Sequence, residues 1–431
     1  MRVLSIAQGV AALVAGVRLA RGRDRLPPLG RTTAPSPAAQ AAQAAQAAQA
    51  AQAAQAAPVG RSISVVIPAR NEEGRIAPCV TAALADPSVA EVIVVDDEST
   101  DGTARLAAGL GARVLAGEPL PDGWIGKQWA LHQGLDAAAC EIVVTLDADT
   151  RPRPGLFSAL ASALDGCDLL SLGPRFVCDG PAEQALHASF LATLVYRFGP
   201  IGSRVLPAPH RVVANGQCMA FRREAMLAAD GFARVRGHMT DDVALARALA
   251  GDGWAVRFLD AGDLLAVDMH ESTADVWREW GRTLAMRDVT DPVWLAGDLA
   301  VVWLTTALPV LRLAVGRPTR LDLGLLATRL LLTGALRGSY TRPGLGVLLS
   351  PLLDPVTAVR LTQASLRPVR TWRGRTYPKR AKTGTYSKRT KAGTYPERAK
   401  AGTYPERTST GTGPNVRSGG PPEPPARNAD R

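Results

Sequence analysis

Two aspartates one residue apart, Asp147 and Asp149 in Thr145-Leu-Asp-Ala-Asp-Thr150, close an apolar run that reads as a buried strand. On an extended chain alternate side chains share a face, which places the two carboxylates roughly 6.6 Å apart at Cα and pointing the same way. Adjacent anions disfavour each other's charge unless a cation lies beside them. The alternative is a solvated strand end. Other acids also fall where strands should stop: Pro68-Ala-Arg-Asn-Glu-Glu73 follows one apolar run, and Asp96-Asp97-Glu98-Ser99-Thr100-Asp101-Gly102-Thr103 follows the next. Thr240-Asp241-Asp242 opens an amphipathic stretch that ends at Leu249. Acids there have two readings, chemistry or N-terminal capping by charges that suit unpaired amides and the helix dipole. Lys127, in Trp124-Ile-Gly-Lys127, is the only lysine before residue 379, against 37 arginines over the same span. A compact ammonium at a phosphate is one explanation, and chance survival the other.

The elements that must position these residues alternate. A strand in SISVVIPA precedes a helix over 74–85, and the strand EVIVVDDE precedes a helix over 103–110. The strand ARVLA, a helix over 127–138 and the strand EIVVTLDAD follow. Such alternation predicts an α/β domain with a largely parallel sheet. Ligands of open α/β sheets bind in the crevice at the strands' carboxyl ends, where the three acidic motifs fall.

Charge is concentrated at one end. From Arg367 onward there are 16 Lys/Arg against 4 Asp/Glu, whereas the whole chain is +11, so the rest is close to neutral. The basic character belongs to a tail and not to a nucleic-acid-binding face. Five scattered cysteines without CxxC pairing, and five histidines without ligand spacing, predict a reducing compartment and no zinc site.

This set of motifs resembles the family-2 glycosyltransferases, whose nucleotide-sugar-binding fold is named GT-A, over about residues 62–290. The resemblance implies a nucleoside diphosphate sugar donor and a divalent cation, Mg²⁺ or Mn²⁺, bridging its phosphates to the protein. Asp149 is then the direct metal ligand and Asp147 contacts the ribose or a metal-bound water. Asp97 binds the base with Asp96 in support, and Pro68, Arg70, Asn71, Glu72 and Lys127 complete the donor site. Asp242 takes the place of the family's general base, with Asp241 where glutamate is commoner. Trp124-x-Gly-Lys127, Asn215-Gly-Gln217 and Trp372-Arg-Gly-Arg375 are similar to a membrane subgroup that includes hopanoid-associated and carotenoid glycosyltransferases. The Gln-x-x-Arg-Trp element of processive synthases is replaced by Trp277-Arg-Glu-Trp280-Gly-Arg282, which suits either an interfacial helix or core packing.

Five segments are expected: a membrane anchor over 1–20, an Ala/Gln-repeat linker over 21–61, the catalytic domain over 62–290, membrane-associated helices over 291–366, and a basic repetitive disordered tail over 367–431. Span candidates are Val3–Val17, Val293–Val315, Leu321–Leu336 and Gly344–Val359, several carrying charges: Asp298, Arg312, Arg329 and Asp354. The expected protein is a multi-pass enzyme with its catalytic domain on the cytoplasmic face of the cell membrane, inverting, and moving one sugar to a terpenoid or polyprenyl lipid. Nucleic acid is not an expected partner. Alternatives are a glycan synthase of the same family, and a scaffold keeping a degenerate nucleotide pocket. A nucleotide-sugar-forming enzyme fits less well, because its Gly-rich, Arg- and Lys-bearing loop is absent.

Overall fold

A strand buried on both faces must be apolar nearly throughout, and β1 (Ile63–Ala69) is buried at every position but Pro68. The computed structural model describes residues 2–30, 63–268, 270, 272–367, 371–372 and 375–377. Helix α1 (Arg2–Ala20) precedes β1, and α2 (Ile76–Ala85), β2 (Val89–Asp96), α3 (Thr103–Gly109), β3 (Arg113–Ala116), α4 (Gly126–Ala137) and β4 (Ile142–Leu146) follow. Each lies where the sequence predicts, within a few residues. Next come β5 (Thr150–Pro152), α5 (Leu156–Ala163), β6 (Leu169–Gly173), β7 (Arg175–Phe176), α6 (Pro181–Phe198), β8 (Cys218–Arg222), α7 (Arg223–Ala228), α8 (Asp241–Gly251), β9 (Val256–Asp260), β10 (Leu265–Val267) and α9 (Thr273–Thr283). Helix α10 (Pro292–Val302) runs through a π-turn at Trp303–Ala307 into α11 (Leu308–Ala314). Then follow α12 (Arg320–Leu336), α13 (Leu345–Leu349), α14 (Asp354–Leu366) and a hairpin of β11 (Thr371–Trp372) and β12 (Arg375–Thr376).

The main sheet has the order β3-β2-β1-β4-β8-β6-β9. Strands β3, β2, β1 and β4 are parallel, β8 is antiparallel to both its neighbours, and β6 pairs in parallel with β9. Parallel strands put their carboxyl ends on one edge, so the loops after β1, β2 and β4 meet there. Helix α4 lies close against β1 and β2 because residue 134 is glycine: a Cβ there would fall 2.3 Å from Val66 Cγ1 and 3.1 Å from Val95 Cγ2. Any larger residue would lift the helix that carries Lys127.

Among the described residues, three helical stretches are long and apolar enough to cross a membrane: Val3–Arg23, Pro292–Ala314 and Leu345–Leu366. Leu321–Leu336, predicted as a fourth span, lies in the 17-residue α12 and falls outside that group. The charges interrupting these segments pair with one another, as buried ions must. Asp298 is fully buried between Arg18 at 3.0 Å and Arg211 at 2.9 Å, and Arg312 meets Asp322 at 3.2 Å. Arg329 holds Asp354 through two bonds of 2.7 and 3.0 Å.

Two expected boundaries change. The linker does not begin at residue 21: Leu26 donates to the Gly202 carbonyl at 2.7 Å and Leu29 to the Asp260 carbonyl at 2.8 Å, so residues up to 30 are laid along the catalytic part by their own backbone groups. Nor do the helices stand apart from the catalytic part, since Met1–Arg380 is one compact unit. The repeat over 38–57 and residues 378–431 lie outside the described residues, and the tail expected to be disordered from 367 is ordered where it is described, because β11 and β12 pair as a hairpin. Trp280 is 6% exposed and stacks 3.8 Å from the His187 ring, which makes it a core residue; Trp277 lies 5.5 Å from the Arg360 guanidinium.

Candidate active site

Asp147 and Asp149 converge for a reason the strand reading misses. Strand β4 ends at Leu146, and the pair sits in a turn closed by Thr150, whose amide donates to the Asp147 carbonyl at 3.1 Å. It is the turn, and not the two-residue period of a strand, that sets both acids on one cavity. The positive partner of Asp147 is internal: the Lys127 ammonium, from the first turn of α4, lies 2.7 and 2.9 Å from its two oxygens. Burial alone would push the Lys127 pKa down, but Asp147 and Asp241 outweigh it and the ammonium is raised. Lys127 therefore answers a carboxylate in this structure. Asp149 is different. Burial, then Asp147 and Glu72, push it up to about 7, and its buried Oδ1 has no hydrogen-bond partner among the described residues.

The loops after β1 and β2 interlock. Asn71 and Glu98 both take positive φ, 54° and 55°, which is uncommon outside glycine. Asn71 spends its side chain on this loop contact, accepting from the Thr100 amide at 2.8 Å, and its exposed position does not reach the cavity. Glu72 is held by Arg75 at 2.7 Å, and Pro68, Arg70, Glu72 and Arg75 line the cavity. Asp96 accepts from the Ser99 amide at 3.3 Å and stays outside the lining, as the support of the turn. Asp97 is 5% exposed. Arg70 donates to its carbonyl, while its carboxylate accepts from Arg375 Nη1 at 3.0 and 2.9 Å. Burial pushes the Asp97 carboxyl up and Arg375 draws it back.

Asp241 and Asp242 open α8, as the capping pattern requires, yet Thr240 makes no side-chain cap bond to the helix. It is tied instead to Asp288, through its hydroxyl at 2.7 Å and its amide at 3.1 Å. Asp242 is fixed by two main-chain donors, Val243 at 2.7 Å to Oδ1 and Gly216 at 2.9 Å to Oδ2. Burial raises it and Lys127 opposes that rise. Asp241 is pushed up to about 7, by burial first, with Lys127 opposing and Asp242 adding to the rise, and its buried Oδ2 has no hydrogen-bond partner among the described residues. One lysine thus balances three acids from two distant loops.

These groups share a cavity of about 910 Å³. Its lining includes Arg70, Glu72, Lys127, Asp147, Asp149, Asp241 and Asp242, further charged groups such as Arg25, Asp260, Arg278 and Glu279, and an apolar arm made by Leu19 of α1, Leu191, Leu194 and Phe198 of α6, and Leu332 and Leu336 of α12. No motif in the sequence announces that apolar arm, since its leucines are ordinary residues of three separate helices. Arg75 and His270 also line the cavity without a sequence signal; Gly216, in the Asn215-Gly-Gln217 run, has one.

Residues 64–227 match the family model described as glycosyl transferase family 2. Over 209 residues the chain is 36% identical to an uncharacterised glycosyltransferase of Mycobacterium tuberculosis, covering 47% of this chain and 84% of that one. The chain belongs to the family-2 glycosyltransferases. It is also 41% identical over 92 residues to the 4,4'-diaponeurosporenoate glycosyltransferase of Staphylococcus haemolyticus, a match of 21% of this chain that spans only 24% of that relative's length. Among solved structures, glucosyl-3-phosphoglycerate synthase from Mycobacterium tuberculosis, in complex with Mn²⁺, UDP-glucose and phosphoglyceric acid, aligns at 26% identity with a TM-score of 0.35. That alignment covers 56% of this chain and 81% of the other.

Proposed function

We propose that the protein is an inverting hexosyltransferase that moves a single sugar from a nucleotide-sugar donor to the hydroxyl of a terpenoid or polyprenyl lipid, at the cytoplasmic face of a membrane it crosses more than once. The observation that carries this reading is that one cavity is lined both by ionised groups suited to a sugar nucleotide and by leucine and phenylalanine side chains of α1, α6 and α12. A soluble acceptor would gain nothing from apolar walls, whereas a lipid gains roughly 0.8 kcal/mol for each CH₂ it buries.

The donor set fits a hard divalent cation. Asp149 presents a buried oxygen with no hydrogen-bond partner among the described residues, and Asp147, paired with the Lys127 ammonium, stands next to it. Among the described residues no group of three side chains could hold a metal by themselves, so phosphate oxygens and water would complete the shell. Asp149 and Asp147 would hold the ion, which when bound neutralises the charge that develops on the departing diphosphate. Asp242, kept in one orientation by two amides, takes the proton from the acceptor hydroxyl as that oxygen attacks the anomeric carbon. Asp241 and Lys127 set the local charge around it. The base is assigned to Arg70, which lines the cavity, and to Asp97, which lies outside the lining and is bonded to Arg70 through its carbonyl.

The test is direct: membranes containing the protein are incubated with a panel of labelled UDP, GDP and dTDP sugars, and the extracted lipids are analysed by mass spectrometry beside an Asp242→Asn control. A lipid heavier by one sugar residue, absent from the control, is the expected product. A water-soluble polymer would instead identify a glycan synthase, and no product with any donor would favour the scaffold.

A further inference from the structure

The hairpin of β11 and β12 comes from the far end of the folded unit, yet its arginine is bonded to the acid assigned to the donor's base. Arg375 stands 278 residues from Asp97 in sequence, and Nη1 donates to both carboxylate oxygens, at 3.0 and 2.9 Å. Nη2 donates to Glu98, the positive-φ residue of the same loop. Two residues on, the Tyr377 hydroxyl accepts from the Gly126 amide at 3.3 Å, at the start of the helix that carries Lys127. The approach is close: a Cβ on residue 126 would lie 2.3 Å from Asp97 Oδ2 and 3.0 Å from Arg375 Nη1.

A carboxylate whose two oxygens face one guanidinium has its recognition edge filled. A nucleobase that binds through its own N–H groups needs that edge. We infer that Arg375 and the base of the donor nucleotide compete for the Asp97 carboxylate, so that the hairpin leaves when a donor enters and Arg375 sets donor affinity. This rests on the reading that Asp97 receives the base. The hairpin is built to leave: each strand has two residues, joined by the pairs Thr371 with Thr376 and Trp372 with Arg375, and so small a ribbon has little stability of its own. The Arg375 side chain keeps 19% of its surface in solvent, so release uncovers charge that is already partly hydrated.

Competition reverses the usual sign of a deletion. Removing an ordinary structural contact weakens ligand binding, whereas removing a competitor raises the fraction of molecules with an open site and tightens it. The experiment uses the full chain in detergent with Mn²⁺, and calorimetry with UDP, GDP, CDP, ADP and dTDP, carried forward with whichever binds wild type most tightly. Arg375→Ala is expected to tighten that nucleotide by about fivefold or more, the scale of losing a charge-assisted pair. Arg375→Lys, which keeps the charge without the fork, and Tyr377→Phe, which removes the bond to Gly126, are expected to tighten it less. Asp97→Ala is expected to weaken it with or without Arg375. Trypsin supplies a second readout, because nucleotide should speed cleavage within 367–380. Unchanged or weaker binding by Arg375→Ala, or slower cleavage in nucleotide, overturns the competition while leaving the donor site as assigned. Unchanged binding by Asp97→Ala overturns the base assignment itself, and no binding by any of the five nucleotides overturns both.

Discussion

At the scale of single residues, the acids of the cavity divide by what already holds them. Asp147 has its lysine and Asp242 has two amides, while Asp149 and Asp241 each keep a buried oxygen without a partner among the described residues and are both pushed up to about 7. An Asp242 held in one orientation by two main-chain donors suits proton removal, so Asp242→Asn should keep nucleotide affinity and lower turnover by roughly 10²-fold or more, with Asp241→Asn milder. Steady-state kinetics beside calorimetry check this, and equal turnover for Asp242→Asn and wild type would move the base elsewhere. Asp149→Ala removes an anionic ligand from a hard-cation site. Nucleotide affinity in Mn²⁺ should then fall about tenfold or more, to the value seen in chelator. Wild-type affinity that is the same in Mn²⁺ and in EDTA would end the metal assignment.

At the scale of elements, helices α12 and α14 are joined by a buried ion pair and not by apolar packing alone. Arg329 is 1% exposed and spends its guanidinium on Asp354 and Ser350, and Asp354 also accepts from Ser189 of α6 at 2.8 Å. Breaking such a pair from one side leaves an uncompensated charge. Arg329→Met should therefore cost about 3–5 kcal/mol, whereas Arg329→Met with Asp354→Leu should recover most of it. Thermal unfolding in detergent reads both, and a double variant no better than the single one would show that the hydrogen bonds from Ser189 and Ser350 matter more than the charges.

At the scale of the whole molecule, the apolar arm exists only because α1, α6 and α12 meet beside the sheet's carboxyl edge. Leu194 lines the cavity from α6. Leu194→Trp should fill that arm, reducing transfer to lipid by roughly tenfold or more while nucleotide affinity stays within about twofold of wild type. Transfer assays with lipid acceptor, set against calorimetry with nucleotide, separate the two effects. Unimpaired transfer would place the acceptor elsewhere on the molecule.

What the sequence determined by itself is local or periodic. The two-sided apolar runs of β1, β2 and β4 specify a buried parallel sheet, the acids after each run fall at its carboxyl edge, and Asp241-Asp242 marks the start of α8; all of these depend on neighbours within a turn or a strand. The placement of Lys127 against Asp147, of Arg375 against Asp97, and of Asp298 between Arg18 and Arg211 was decided by tertiary structure alone. Read along the chain, Asp298, Arg312, Arg329 and Asp354 look like interruptions of membrane spans; in the fold each is the partner another ion needs. The turn that turns Asp147 and Asp149 into one cavity is likewise closed by Thr150, which a strand period cannot foresee. The reason is physical: propensity and periodicity act over a few residues, whereas a charge is satisfied by whatever the sheet order and helix packing bring to it, from any distance along the chain.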